Sequence, residues 1–473
     1  MAQAVLDNLL HGEEAAVAAP RAFVFLVSLV VLPLLLRRFF VTASTTKKDD
    51  DDRVLSKLPS PPSKVPIFGH MHLAGLAAKH GPHLMLLRLG AVSTVLRTHD
   101  IVLYGSRATH FRKVRKLVTV HLLTSYRPAR EEEVALVMAK LKVASSSPGA
   151  VIVDMSDLLY SFANDRQVLP GGRPEQHVPG AHRHQRRAPR RLQPRGLLPQ
   201  AGQARVDLLS KIICDKAVKI NKKWDQLLNK IIDDHVARLR RRLDDADADF
   251  IDVLLSHQKE YDITMDHMKA MIVGMFEAGT ETSYLVLEAA MSELMRNPHV
   301  MAKLQDEVRR SVPKGQEMVT DDDVTNMTYL KAETLRLHPP APLLIPHLSI
   351  DACTIDGYTI PAGSRVIVNA WAIGRNGEYW ANPDKFVPER FIDANDLEFK
   401  GKDFRYLPFG SGRRMCPGIH AAEATLEIML ANLMYRFDWE LPPGMKKEDI
   451  DMTEVFGLTV HRKEKLFLVP KLA

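Results

Sequence analysis

The chain has 473 residues, 46% of them hydrophobic, and three cysteines, Cys214, Cys353 and Cys416. This composition belongs to a globular protein, and cysteines so few and so scattered, with no C-x-x-C pair, exclude a disulfide framework, a zinc ribbon and an iron–sulfur site. The formal charge of +7 invites nucleic-acid binding, but nine Arg against one Glu in residues 166–205 concentrate +8 there and leave about −1 on the rest, so the folded body has no basic field for nucleic acid.

The first element is an apolar, uncharged run at residues 22–36, preceded by Glu13 and Glu14 and followed by Arg37, Arg38, Lys47 and Lys48. Extended back through Ala15, it reaches the roughly 20 residues that span a bilayer, with Arg21 able to snorkel. Basic residues favour the cytoplasmic side, so residues 1–57 read as an anchor and spacer with a cytosolic body behind them. A cleaved signal peptide is the alternative; against it, the run ends in Arg37-Arg38-Phe39-Phe40 rather than a small-residue cleavage site. Residues 58–69 are proline-rich, which favours stiff, extended backbone. Residues 110–116 form a basic stretch carrying Arg112 and Arg115.

Residues 165–205 carry six Pro, three His and nine Arg, with no Lys, no aromatic residue and no hydrophobic period. One reading is a disordered basic arm for RNA or anionic lipid. The other is translation from a wrong reading frame in GC-rich coding DNA, where Arg, Pro, Gly and Ala codons dominate.

Residues 266–297 predict a long helix, with Met268, Met271, Ile272, Met275 and Phe276 on one face and Asn297-Pro298 as its stop. At its centre lies Ala278-Gly279-Thr280-Glu281-Thr282-Ser283. A helix-interior Gly costs about 1 kcal/mol, a cost that close approach of a flat cofactor or of O2 would offset. Thr282 can bond the carbonyl four residues back and open the helix locally. An acid beside an alcohol can relay protons; an ordinary helix with an exposed Glu281 is the alternative on these residues alone.

Glu333 and Arg336, at i and i+3, share a helix face and can pair. Residues 354–368 alternate and turn at Asp356-Gly357 and Ala362-Gly363, which predicts short strands. Phe386-Val387-Pro388-Glu389-Arg390-Phe391 follows. Residues 409–418 then place Cys416 in a glycine-bent loop, beside Arg413 and Arg414 and just ahead of an apolar helix over 419–437. Positive charge and a helix N-terminus both lower a thiol's pKa, as a thiolate metal ligand needs. The alternative is a buried structural cysteine in a glycine-rich turn.

Phe409-Gly410-Ser411-Gly412-Arg413-Arg414-Met415-Cys416-Pro417-Gly418 resembles the haem-ligand signature Phe-x-x-Gly-x-Arg-x-Cys-x-Gly of the cytochrome P450 family. Three further motifs resemble that family in its order: Ala278-Gly279-x-Glu281-Thr282, Glu333-x-x-Arg336 and Pro388-Glu389-Arg390-Phe391. Residues 58–69 resemble the proline-rich hinge of its plant microsomal members. The resemblance implies a mainly α fold with a small β region, the cytochrome P450 fold, as one domain over residues 58–473 behind the membrane anchor.

It also implies roles. Cys416 would ligate the iron of haem b, and a thiolate ligand favours O–O cleavage. Arg414 would pair with a propionate, Phe409 would shield the sulfur, and Gly412 and Gly418 would allow the turn and helix entry. Arg112 and Arg115 match further propionate partners, although Phe111 stands where the family has Trp. Ala278 and Gly279 would admit the haem, and Glu281 and Thr282 would deliver protons. Glu333, Arg336 and Arg390 would form a buried support. Residues 342–346 and 456–459 are pocket-lining candidates.

The implied activity is monooxygenation of a lipophilic small molecule in plant specialised metabolism, with O2 as co-substrate. Electrons would come from NADPH through a separate cytochrome P450 reductase at the endoplasmic reticulum membrane, since no G-x-G-x-x-G follows a strand here. A haem-thiolate isomerase or dehydratase is disfavoured by the Glu281-Thr282 pair. The chain departs from the family in a short stretch at 95–104, in Tyr329-Leu330-Lys331-Ala332 meeting Glu333 directly, and in the 165–205 segment. These departures raise a second expectation, an inactive haem-binding relic or a faulty gene model.

Overall fold

The computed structural model describes residues 108–123, 127–149, 151–165, 221–238, 250–324, 333–393, 403–456 and 459–473. The expected anchor and spacer at 1–57, the hinge at 58–69, the short 95–104 stretch, the arginine-rich 166–205 segment and the 329–332 junction lie outside the described residues. Among the described residues, no helix is long and apolar enough to cross a membrane.

Helix α1 (Ala108–Lys116) runs directly into a π-helical stretch, Leu117–Leu122. It buries Val114, Leu117 and Val118 and leaves Arg112, Lys113 and Lys116 exposed, the pattern of a surface helix with one apolar stripe. That stripe packs with Ile232 of the helical stretch 221–238 and with Ile251 and Leu254 of the helix Phe250–Ser256.

Helix α2 (Arg127–Ser146) buries Val134, Val137, Met138 and Leu141, spaced as one helical face. A short strand, β1 (Val153–Asp154), leads into α3 (Met155–Asp165), whose Met155, Leu159, Phe162 and Ala163 are buried on the same rule.

The longest helix, α4 (Met265–Arg296), has 32 residues. A capping box starts it: the Thr264 side chain accepts from the His267 N–H, and the His267 side chain accepts from the Thr264 N–H. Residues 283–295 are buried on every face, so this half of α4 runs through the core. Asn297 ends it, and Pro298, which has no N–H to donate, opens α5 (Pro298–Ser311). The stop signal read from the sequence lies where the structure has it.

Helix α6 (Glu333–Leu337) is short and wholly buried. Strand β2 (His347–Leu348) precedes a hairpin of β3 (Cys353–Ile355) and β4 (Tyr358–Ile360), and then pairs with β5 (Arg365–Val366). The hairpin turn has positive φ at both Asp356 (49°) and Gly357 (77°), as a two-residue turn matched to strand twist requires. The strands expected over 354–368 are therefore present.

The chain then forms α7 (Ile419–Arg436), β6 (Phe437–Glu440), the hairpin β7 (Glu454–Phe456) and β8 (Val460–Arg462), and β9 (Phe467–Leu472). The order β1–β9–β6 makes one antiparallel sheet. The main core gathers the inner faces of α2, α3, α4, α5 and α7. The fold is mainly α with a small β region.

Candidate active site

The loop before α7 is shaped by its glycines. Gly410 and Gly412 both have φ of 72°, a region costly for residues with a side chain. The Cys416 N–H donates to the Phe409 carbonyl at 3.0 Å and closes the loop on itself. The thiol of Cys416 is free. It accepts the Gly418 N–H at the entrance of α7, and a Cβ on Gly418 would stand 3.8 Å from its sulfur.

The positive group that acts on this sulfur comes from α1. Arg115 donates from Nη1 to the Met415 carbonyl at 2.6 Å, and its charge stabilises a thiolate. Arg413 and Arg414 are exposed, as is Arg112. Burial nonetheless pushes the Cys416 thiol up, against the Gly418 amide and Arg115. The lowered thiol pKa expected from the sequence is thus reversed in the protein alone, because desolvation outweighs both stabilising groups.

Phe409, itself half-buried, packs against a buried cluster of Val286, Leu335, Trp380, Phe391 and Tyr406. Val286 belongs to α4. Ala278, Thr282 and Val286 recur at i, i+4 and i+8, so they lie along one stripe of that helix. The stripe that enters this cluster at Val286 carries Thr282 one turn earlier. The Thr282 hydroxyl donates to the Ala278 carbonyl at 2.6 Å, the back-bond anticipated from the sequence. Ala278 is exposed and Gly279 half-buried. The buried Thr280 hydroxyl has no partner among the described residues. Glu281 is exposed as a residue, yet desolvation raises its carboxyl above the usual range, an effect that Thr459 partly opposes.

The expected support network is assembled. Arg336 forks onto Glu333, with Nε at 2.8 Å from Oε2 and Nη2 at 2.6 Å from Oε1. It also donates to the carbonyls of Gly374, Pro383 and Lys385. Glu333 Oε1 accepts in addition from Arg390 Nε and the Val387 N–H, each at 3.0 Å. Arg390 continues to the carbonyls of Ala381 and Asn382. The side chains of Glu333 and Arg336 are 0% exposed, so the fork is a buried pair with further bonds satisfying its donors. A Cβ on Gly374 would meet the Arg336 carbonyl oxygen at 2.5 Å, which leaves room only for glycine. Arg336 also stacks 5.2 Å over Trp380, in the cluster that seats Phe409.

Three residues escaped the sequence reading in whole or in part. Arg115, rather than Arg112, reaches the loop; the available signal was its position three residues before buried Val118, at the border of the apolar stripe. His338 bridges Glu293 (Nε2 to Oε1, 2.9 Å) and Glu454 (Nδ1 to Oε1, 3.1 Å). Thr459 acts on the Glu281 carboxyl, opposing its raised pKa. Nothing local in the sequence marks these last two contacts, because their partners lie far along the chain.

These residues suit a thiolate-ligated haem. One free cysteine is supplied with an amide N–H and a guanidinium, and small residues on the α4 stripe leave room for a flat ring. No group of three or more His, Cys, Asp or Glu among the described residues forms a rival metal site.

Comparison with known proteins agrees. Residues 200–469 match the family model described as Cytochrome P450. The chain is 50% identical to indole-2-monooxygenase of Zea mays, covering 99% of this chain and 98% of that protein. That alignment is 539 positions long against 473 residues here, so the relative has stretches with no counterpart in this chain. Indolin-2-one monooxygenase of Zea mays is 44% identical over 88% of this chain and 89% of that protein. A zebra fish cytochrome P450 solved with abiraterone superposes with a TM-score of 0.65, at 21% identity, covering 85% of this chain and 99% of that one, which shows a shared fold. The chain belongs to the cytochrome P450 family and is a haem-thiolate monooxygenase of the plant type.

Proposed function

We propose that this protein oxygenates a small, lipophilic aromatic heterocycle of the indole class. Electrons come from NADPH-cytochrome P450 reductase, and residues 1–57 anchor the domain 58–473 to the cytosolic face of the endoplasmic reticulum membrane. The substrate class is supported by the names of the Zea mays relatives, which act on indole, indolin-2-one and 3-hydroxyindolin-2-one. The observation that supports the reading is the hydrophobic cluster that Phe409 of the cysteine loop packs against, to which α4 contributes Val286, on the stripe that bears Thr282.

When bound, the haem supplies activation of O2, with one oxygen atom passing to substrate and the other to water. Cys416 holds the iron through its sulfur, and the Gly418 amide stabilises the charge there. Phe409 covers the sulfur, while Gly412 and Gly418 keep the backbone close. Arg115 and Arg414 neutralise the propionates, with exposed Arg112 farther out on α1. Ala278 and Gly279 keep side-chain bulk off the ring face. Glu281 holds a proton more tightly than an ordinary carboxyl does, since desolvation raises its affinity. It hands that proton toward the Thr282 hydroxyl, whose oxygen is still free to accept while its hydrogen bonds Ala278.

The test is the spectrum of the reduced protein under carbon monoxide. A red-shifted Soret band is expected from the intact protein and none from Cys416→Ala; an imidazole-like band in the intact protein overturns the ligand assignment. A second reading, a haem-binding relic, is favoured by the stretches present in the indole-2-monooxygenase and absent here. A thiolate-type band without product from indole, given reductase and NADPH, identifies the relic. Sequencing the transcript across residues 165–205 decides whether that segment is out of frame.

A further inference from the structure

His338 touches an acid with each of its ring nitrogens, and the two acids belong to different parts of the fold. Nε2 lies 2.9 Å from Glu293 Oε1 on α4, and Nδ1 lies 3.1 Å from Glu454 Oε1 on β7. An ionised carboxylate accepts and cannot donate, so both contacts are hydrogen bonds only when both ring nitrogens carry hydrogen. A neutral imidazole has one N–H, and its other nitrogen then turns a lone pair toward a carboxylate oxygen. Burial opposes charge on the ring, but the two carboxylates prevail and raise its pKa above 6.5. Arg296 and Glu288 of α4, Asp451, Arg375 and Arg462 supply the other charges around this bridge. Guanidiniums keep their charge at any working pH, whereas an imidazole titrates near neutrality.

The two acids are not equally held. Glu293 also accepts from Asn297 Nδ2 at 3.3 Å, Arg296 Nη1 stands 3.5 Å from its Oε1, and its side chain is 6% exposed. The Glu454 carboxylate has no second hydrogen-bond partner among the described residues, and its side chain is 19% exposed. When one ring proton leaves for water, the remaining N–H therefore stays with Glu293, whose charge is shut off from solvent, and Glu454 turns outward. The other ties of the hairpin do not depend on that proton. The Val460 N–H donates to the Pro340 carbonyl at 3.0 Å, and the Lys463 N–H donates to the Thr453 carbonyl at 2.8 Å. Main chain holds β8, while a side chain that titrates holds β7.

We propose that His338 is a proton-operated latch: with both ring nitrogens protonated it ties β7 to α4, and loss of one proton frees the Glu454 end of the β7–β8 hairpin while α4 keeps its contact. The consequence reaches the candidate site, because β8 packs on α4, the helix that bears Glu281 and Thr282.

The test is hydrogen exchange of the haem-loaded, full-length protein at about pH 6 and about pH 9, with each rate corrected for the intrinsic rate at that pH. Peptides over the hairpin are compared with peptides over β9 in the same molecule. Protection of the wild-type hairpin is expected to fall about tenfold at the higher pH, the loss typical of one hydrogen bond to a charged group, with β9 unchanged. Glu454→Gln carries the sharper expectation. A Gln amide accepts from a protonated ring nitrogen and donates to an unprotonated one, so this hairpin stays protected at both pH values. His338→Gln, which cannot titrate, shows low protection at both; if it fails to fold, the wild type and Glu454→Gln decide the matter alone. Wild-type protection that is level across the range overturns the latch. An alkaline fall that persists in Glu454→Gln, or one shared equally by β9, overturns it too, since another group or a global loosening is then responsible.

Discussion

Arg336 and His338 stand two residues apart in the chain, the first buried and the second half-buried, and each is a base that pairs with carboxylate. Their surroundings differ. Around Arg336, each guanidinium nitrogen has a partner, either Glu333 or one of three backbone carbonyls. Around His338, the partners are Glu293 and Glu454, and the neighbouring Arg375 and Arg462 each keep one buried Nη1 without a partner among the described residues. The first cluster is closed, while the second has spare donors and a titratable bridge. The closed cluster supports the cysteine loop through Trp380, and the open one supports the hairpin that carries Thr459. The part that seats the cysteine loop is held by a fork whose donors are all satisfied, whereas the clamp on the hairpin runs through an imidazole.

Breaking the closed cluster should have the largest effect. Glu333→Gln leaves Arg336 and Arg390 without their carboxylate and should cost about 3–5 kcal/mol. That is a large part of the stability of an ordinary domain. Thermal unfolding of the variant, together with loss of the reduced carbon monoxide band, measures it. A loss below about 1 kcal/mol would place this pair with ordinary surface bridges.

The open cluster should respond to pH. Burial alone would depress His338, but its hydrogen bonds to Glu293 and Glu454 outweigh that and raise its pKa above 6.5. A raised folded pKa stabilises fully below the unfolded value and is lost as pH rises through the folded value. His338→Gln should therefore lose about 1.5–3 kcal/mol near pH 6, with a smaller loss at alkaline pH. Melting temperatures of both proteins across that range check the sign.

Smaller effects sharpen the contrast. Gly374→Ala puts a Cβ 2.5 Å from the Arg336 carbonyl and should cost about 1–3 kcal/mol in denaturant unfolding. Thr280→Val removes a buried hydroxyl that has no partner among the described residues, so its unfolding free energy should stay within about 0.5 kcal/mol of the parent or rise.

The same contrast explains what could be read from the sequence. The cysteine loop was legible because its constraints are local: glycines, arginine and cysteine within ten residues. The ends of α4 were legible because an apolar face and the Asn297-Pro298 stop are also local. The Glu333–Arg390 pair joins residues 57 apart, and only a family resemblance brought it into view. The partners of His338 lie 45 and 116 residues away, with no pattern announcing them. The choice of Arg115 over Arg112 depends on which face of α1 is buried, and the direction of the Cys416 shift depends on burial. Both are properties of the packed chain rather than of any segment.

The bond from the Cys416 N–H to the Phe409 carbonyl, with Gly410 and Gly412 in left-handed conformations, bears on how the sulfur is presented. The chain's own main-chain bond and two residues without side chains set the curvature of the turn, so a side chain added at either glycine would strain the backbone on which Cys416 sits.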